Sequence, residues 1–196
     1  KSQKDSLTGL LNNSTIKQQI GARLQSLKRG QTGYLVVQDV DSFKKINDTN
    51  GHLFGDAVLC SFADELSNIF PEALKGRIGG DEFVFYVEDM DREQLEEKLK
   101  QLNRCMSDRY DDDKTGLHIS CSLGAAVTDG TVTDYNLLFQ WADAALYQVK
   151  SKGKGAYYLL DVKEGVALPG KSYLDSEENK EDEIAHKEAQ FESAED

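Results

Sequence analysis

Apolar residues along the chain fall either at helical spacing or in short unbroken runs, with turn residues between them. Ile16, Ile20, Leu24 and Leu27 share one helix face; Asn12, Asn13 and Ser14 offer N-caps before it and Arg29-Gly30 ends it. Tyr34-Leu35-Val36-Val37 reads as a buried strand over 34–40. A short helix is predicted from about Ser42 to Asp48. A second begins near Gly55, with Val58, Leu59, Phe62, Leu66 and Ile69 inward and Pro71 just past its end. Leu74–Ile78 and Phe83–Val87 form the arms of a hairpin over 74–88. Leu95, Leu99, Leu102 and Met106 mark a helix over about 92–108. A strand from His118 to Val127, a helix from Thr133 to Ser151 and a strand from Ala156 to Asp161 complete the series.

This α-β-α-α-β-β-α-β-α-β order predicts one α/β layered domain whose hairpins make the sheet partly antiparallel. The pattern supports a domain over residues 1–162. It weakens past Val162, and 163–196 reads as an acidic extension, helical or disordered, with Ile184 and Phe191 its best apolar pair.

The net charge of −12 sharpens that division, because residues 175–196 carry ten acids against Lys180 and Lys187. An acidic body argues against a nonspecific nucleic-acid binder, whose affinity comes from Lys and Arg on phosphates. It leaves room for a nucleotide enzyme in which a divalent metal brings the positive charge. Cys60, Cys105 and Cys121 are three and widely spaced, which fits buried thiols in a reducing cytoplasm better than disulfides or zinc. Asp111-Asp112-Asp113 lacks EF-hand spacing and reads as a solvated turn. No run of 18 apolar residues or signal peptide is visible, so a cytoplasmic location is expected. The chain begins at Lys1 rather than Met, which suggests a piece of a longer protein whose sensory or regulatory domain lies upstream, with or without a membrane anchor.

Two segments carry candidate chemistry. Gly79-Gly80-Asp81-Glu82-Phe83 places adjacent carboxylates at the hairpin tip, where glycines permit a positive φ. The stretch Asp39-Val40-Asp41-Ser42-Phe43-Lys44-Lys45-Ile46-Asn47 to Gly55-Asp56 puts Asp39 at the C-terminal end of a strand, where open α/β sheets hold ligands. Asp41 is the better-placed cap for the helix that follows, a structural role. The first-turn amides of that helix, with Phe43 and Lys44, suit an anion.

Together these segments resemble the GGDEF family, the diguanylate cyclases. The resemblance runs from Asp5-Ser6-Leu7-Thr8-Gly9-Leu10 to about Tyr158, through Ser122-Leu123-Gly124 and Ala142-Asp143-Ala144-Ala145-Leu146-Tyr147-Gln148-Val149-Lys150. It implies a single layered domain with a five-stranded mixed central sheet flanked by helices, like the palm of polymerases and class III nucleotide cyclases. It implies condensation of two GTP to cyclic di-GMP and two pyrophosphates, across a transient two-fold pair of domains. The alternative is a silent GGDEF module that binds GTP and regulates an attached domain.

By the same resemblance, Asp39, the Val40 carbonyl and Asp81 hold Mg²⁺ or Mn²⁺, and Asp81 and Glu82 are the catalytic acids. Asn47 and Asp56 match the base-reading pair. Guanine offers two donors that one carboxylate can accept together, whereas adenine presents an acceptor at N1. Asp56 also suits an N-cap, and His52 follows the same motif toward the ribose or base. Lys44, Lys150 and Lys154 are cations for the triphosphate; Lys152 reads as a solvated helix end. Three departures stand out: Lys154 replaces the usual Arg, Asn12-Asn13-Ser14 replaces the common Asn-Arg, and Phe70-Pro71-Glu72-Ala73 replaces the Arg-x-x-Asp at which product inhibits many relatives.

Overall fold

The computed structural model describes residues 2–168. Its elements run α1 (Asn13–Gln25), β1 (Gly33–Val40), α2 (Phe43–Asn50), α3 (His52–Ile69), β2 (Leu74–Arg77), β3 (Glu82–Glu88), α4 (Arg92–Tyr110), β4 (Cys121–Thr128), α5 (Tyr135–Ser151) and β5 (Tyr157–Asp161). The predicted order holds throughout. Five strands form one sheet in the order β2-β3-β1-β4-β5; only β4 and β5 run parallel. β1 is central and every one of its residues is buried, which is why Tyr34–Val37 is an apolar run rather than an alternation.

Period two divides β1 between two layers. Tyr34, Val36 and Val40 join Phe83, Phe85, Phe62, Leu66, Leu95, Leu99 and Met106 in the main core, on the side of α3 and α4. The other face, with Leu35, Val37 and Asp39, lies toward α5, which packs on both β1 and β4. The register places Asp39 opposite Glu82 on one side and opposite Ser122 on the other. Val162 is buried and its amide donates to the Val127 carbonyl, so the chain is anchored to there; the compact unit extends to Val166. The acidic stretch beyond Leu168 lies outside the described residues.

Several local expectations need correction. Neither Gly79 nor Gly80 has a positive φ, so the turn does not use glycine's left-handed freedom. Gly79 instead leaves room: a β-carbon there would sit 2.8 Å from Glu82 Oε2. α3 starts at His52, capped by Gly51 backbone, so Asp56 is in the helix interior and caps nothing. Asp41 does not cap α2 either; Ser42 holds that position in the left-handed region with no side-chain cap bond. β4 begins at Cys121 rather than at His118, whose Nδ1 lies 3.4 Å from Asp111 Oδ1 before the strand. Of the thiols, Cys121 alone is fully buried; Cys60 and Cys105 are half-exposed. Among the described residues no helix is long and apolar enough to cross a membrane.

Candidate active site

The hairpin turn is fixed by one side chain. Arg77 donates from Nε to the carbonyls of Gly79 and Gly80, from Nη2 to Gly80 again, and from Nη1 to both Asp5 oxygens. Asp5 is itself held by the Thr8 amide and hydroxyl, and Leu11 hydrogen-bonds to β2 at Lys75 and Arg77. The N-terminal segment is thus sewn to the turn that carries Asp81 and Glu82. On the other flank, the Val40 amide donates to the Asp81 carbonyl at 3.3 Å, tying the turn to the end of β1.

These bonds bring Asp39, Asp81 and Glu82 to one end of the sheet. Burial and then the charge of Asp39 push the Asp81 and Glu82 carboxyls above their ordinary range, opposed by the Lys150 ammonium. Lys150, in the last turn of α5, pairs with Asp39 Oδ2. Asp39 Oδ1 is buried with no hydrogen-bond partner. Two carboxylates opposite one another on paired strands repel, and an orphan buried oxygen among them is a defect that a hard cation would repair. Mg²⁺ commonly takes one or two carboxylates with waters and phosphate oxygens rather than a protein cage. Among the described residues no three His, Cys, Asp or Glu side chains form such a cage. The donor set therefore fits a Mg²⁺ or Mn²⁺ ion shared with a phosphorylated ligand.

Asp143 joins this cluster and was not singled out from the sequence. It lies seven residues before Lys150 on α5, two turns away on the same face. Burial and then Asp39 raise its carboxyl, and its charge acts on Glu82 in turn. That seven-residue spacing to Lys150 was the available signal.

The second group sits on α2 and α3. Asn47 Oδ1 is buried without a partner, lying so close over α3 that a β-carbon at Gly55 would overlap it. Asp56 follows directly, half-exposed, and His52 occupies the exposed first turn on the same helix face. The Phe43 side chain is partly buried against the core, while Lys44 is exposed. Lys154 donates from Nζ to Ser42 Oγ at 3.4 Å, and both line a cavity of about 570 Å³. Lys152 caps α5 and lies over the Tyr158 ring, apart from this set.

Comparison with known proteins places this geometry. The family model described as "Diguanylate cyclase, GGDEF domain" matches residues 2–156. Diguanylate cyclase DgcS of Shewanella oneidensis is 35% identical over 159 residues, 79% of this chain and 52% of that protein. The probable diguanylate cyclase DgcT of Escherichia coli is 30% identical over 164 residues, 81% of this chain and 36% of its own length. The chain thus spans between about a third and a half of these two relatives. Among solved structures, the GGDEF domain of DgcB from Caulobacter crescentus, in complex with c-di-GMP, superposes with a TM-score of 0.72 at 27% identity, covering 81% of this chain and 96% of that one. Diguanylate cyclase SiaD of Pseudomonas aeruginosa, in complex with its activator SiaC, gives 0.71 at 29%, covering 82% and 62%. From the Asp5 loop through the Asp81-Glu82 turn to Lys154, the matched span takes in each candidate site residue, and the chain belongs to the GGDEF domain family.

Proposed function

We propose that this domain is a catalytically competent diguanylate cyclase that condenses two GTP into cyclic di-GMP and two pyrophosphates. The observation that carries the reading is the convergence of Asp39, Asp81 and Glu82, with one buried Asp39 oxygen left unpartnered. In each half-reaction a 3′-oxygen bonds to an α-phosphorus, the bond from that phosphorus to the bridging oxygen breaks, and pyrophosphate leaves. Glu82 takes or orients the 3′-hydroxyl proton. In the metal-free domain its carboxyl is raised by burial and then by Asp39. Asp39, the Val40 carbonyl and Asp81 would hold Mg²⁺ or Mn²⁺, which when bound neutralises charge at the phosphates. Lys150, Lys154, Lys44 and the first amides of α2 hold the triphosphate. Asp56 accepts from the guanine edge and Asn47 completes that contact, with His52 beside them.

One acidic cluster and one base-reading pair make one GTP per domain. Closing two phosphodiesters requires a second copy presenting its own GTP in a two-fold encounter. The input that controls this encounter is assigned to a domain outside this chain. An intact acidic pair favours the enzyme over a silent GTP-binding module, which has no use for Glu82.

The test is purified protein, free and artificially dimerised, incubated with GTP and Mg²⁺. Cyclic di-GMP with one pyrophosphate per GTP, at a rate second order in the free protein, is expected. GTP bound without product would assign the chain to the silent class.

A further inference from the structure

Among the described residues, three non-glycine residues have a positive φ: Ser42 at 53°, Lys154 at 66° and Asp89 at 53°. The first two meet through the bond from Lys154 Nζ to Ser42 Oγ. Left-handed backbone at residues with a β-carbon persists only where the surroundings over-determine it, and such positions gather at ligand sites. One side chain supplies that determination. Asp41 Oδ1 accepts from the Ser122 hydroxyl at 2.6 Å; Oδ2 accepts from the Ser120 hydroxyl at 2.6 Å and from the Gly155 amide at 3.0 Å. The Asp41 amide donates to the Ser120 carbonyl at 2.9 Å. Asp41 is 9% exposed, so these three donors rather than water solvate its carboxylate.

The consequence is geometric. Gly155 follows Lys154, and Ser42 follows Asp41. One carboxylate therefore fixes the loop at 153–155 and the entry to α2 against the same two serines at the start of β4. Resting on the cyclase reading, we infer that Asp41 is a positioning residue for the polyphosphate end of GTP. It touches no substrate; it holds Lys154 and the amides of Phe43 and Lys44 on one side of the same phosphates. This differs from a helix cap, which would steady α2 alone.

The experiment compares binding of 3′-deoxy-GTP, which lacks the attacking hydroxyl, with binding of GMP, both with Mg²⁺, by calorimetry on the full chain. Asp41→Ala is expected to weaken 3′-deoxy-GTP about tenfold, the scale of one lost hydrogen bond to a charged group, while GMP changes less than twofold. Lys154→Ala should reproduce that selectivity. The double variant should be no worse than the poorer single, because the two residues act as a unit. Asp41→Asn, which keeps one acceptor and the volume, should restore part of the loss; with Ser122→Ala it provides a folded test should Asp41→Ala unfold. Equal weakening of both ligands, or additive losses in the double variant, would overturn the positioning role while leaving the cyclase reading intact. Wild-type protein that binds neither nucleotide would overturn both.

Discussion

The Lys150 ammonium pairs with one oxygen of Asp39 and leaves the other, buried, with nothing to bind. Asp39 is the penultimate residue of the central strand and Lys150 sits in the last turn of α5, so the pair also pins the helix to the sheet. The lysine is over a third exposed, so its loss costs nearer ~1 kcal/mol than the several of a fully buried pair. Lys150→Ala is expected to destabilise the metal-free protein by about that amount, and Asp39→Asn in the same chain to recover most of it. A denaturant series on the four variants reads the coupling; purely additive effects would mean the pair is not formed in solution.

Removing charge at the turn should act the opposite way on fold and on chemistry. The Asp81 and Glu82 carboxyls titrate above 3.8 and 4.5 in the folded chain, first through burial and then through Asp39. Across that window the native state binds more protons than the unfolded one, so stability falls as pH rises through it. Glu82→Gln and Asp81→Asn should therefore leave metal-free stability at pH 7 unchanged or raised by up to ~1 kcal/mol, the scale of a like-charge cross-strand pair. Both, with Asp81→Ala and Asp39→Asn, should abolish cyclic di-GMP formation. At the alkaline end the sign is the same, because there too the native state binds the extra proton. Burial alone would lower Lys150, but the bond and charge of Asp39 outweigh it and raise it above 10.5, so its stabilisation is complete below 10.5 and lost above the raised value. Melting temperature against pH with a chelator present tests both limbs; unchanged turnover in Glu82→Gln would remove that residue from the mechanism.

The two signature glycines should behave differently. A β-carbon at Gly79 meets Glu82 Oε2, the mobile end of a side chain, so Gly79→Ala should fold and yet displace Glu82. A shift of about 1 Å at a reacting group can cost 10²-fold in rate. At Gly80 a β-carbon meets nothing within 4 Å and φ is not positive, so Gly80→Ala should change stability by less than about 0.5 kcal/mol. Paired assays of melting and GTP turnover check this. Equal, wild-type turnover in both variants would show that Glu82 does not need its observed place.

Nucleotide choice and feedback follow from two further sites. If Asn47 and Asp56 read guanine, GTP should be preferred over ATP by about 10⁴-fold, since the wrong base leaves buried polar groups unpaired. Asp56→Ala should weaken GTP most. At 70–73, where many relatives carry an arginine, Phe70 is instead buried against Phe85, and Lys98 lies over its ring. Lys75 Nζ donates to the carbonyls of Phe70, Pro71 and Ala73, and the cavity there is about 160 Å³, below the ~300 Å³ at which ligand pockets usually begin. Cyclic di-GMP should then inhibit only competitively with GTP. Noncompetitive inhibition at micromolar product would reveal a regulatory site elsewhere.

Element order, the central buried strand and the carboxylate turn were legible in the sequence. Each rests on a local signal: apolar period, a capping residue, or a run such as Gly79-Gly80-Asp81-Glu82-Phe83. What the chain could not reveal by itself was register and what crosses between elements. Pairing of Asp39 with Glu82, 43 positions apart, depends on how their two strands are aligned, and a slip of one residue would send every side chain to the other face. Asp41 reads locally as a helix cap because the signal for a cap lies within four residues. Its true partners, Ser120, Ser122 and Gly155, are distant in sequence and meet it only once β4 and the loop after α5 are in place. Gly79 follows the same rule, explained by a neighbour's carboxylate that only packing brings there; the spacing of Asp143 to Lys150 is readable in the sequence, but not that their helix face turns toward β1.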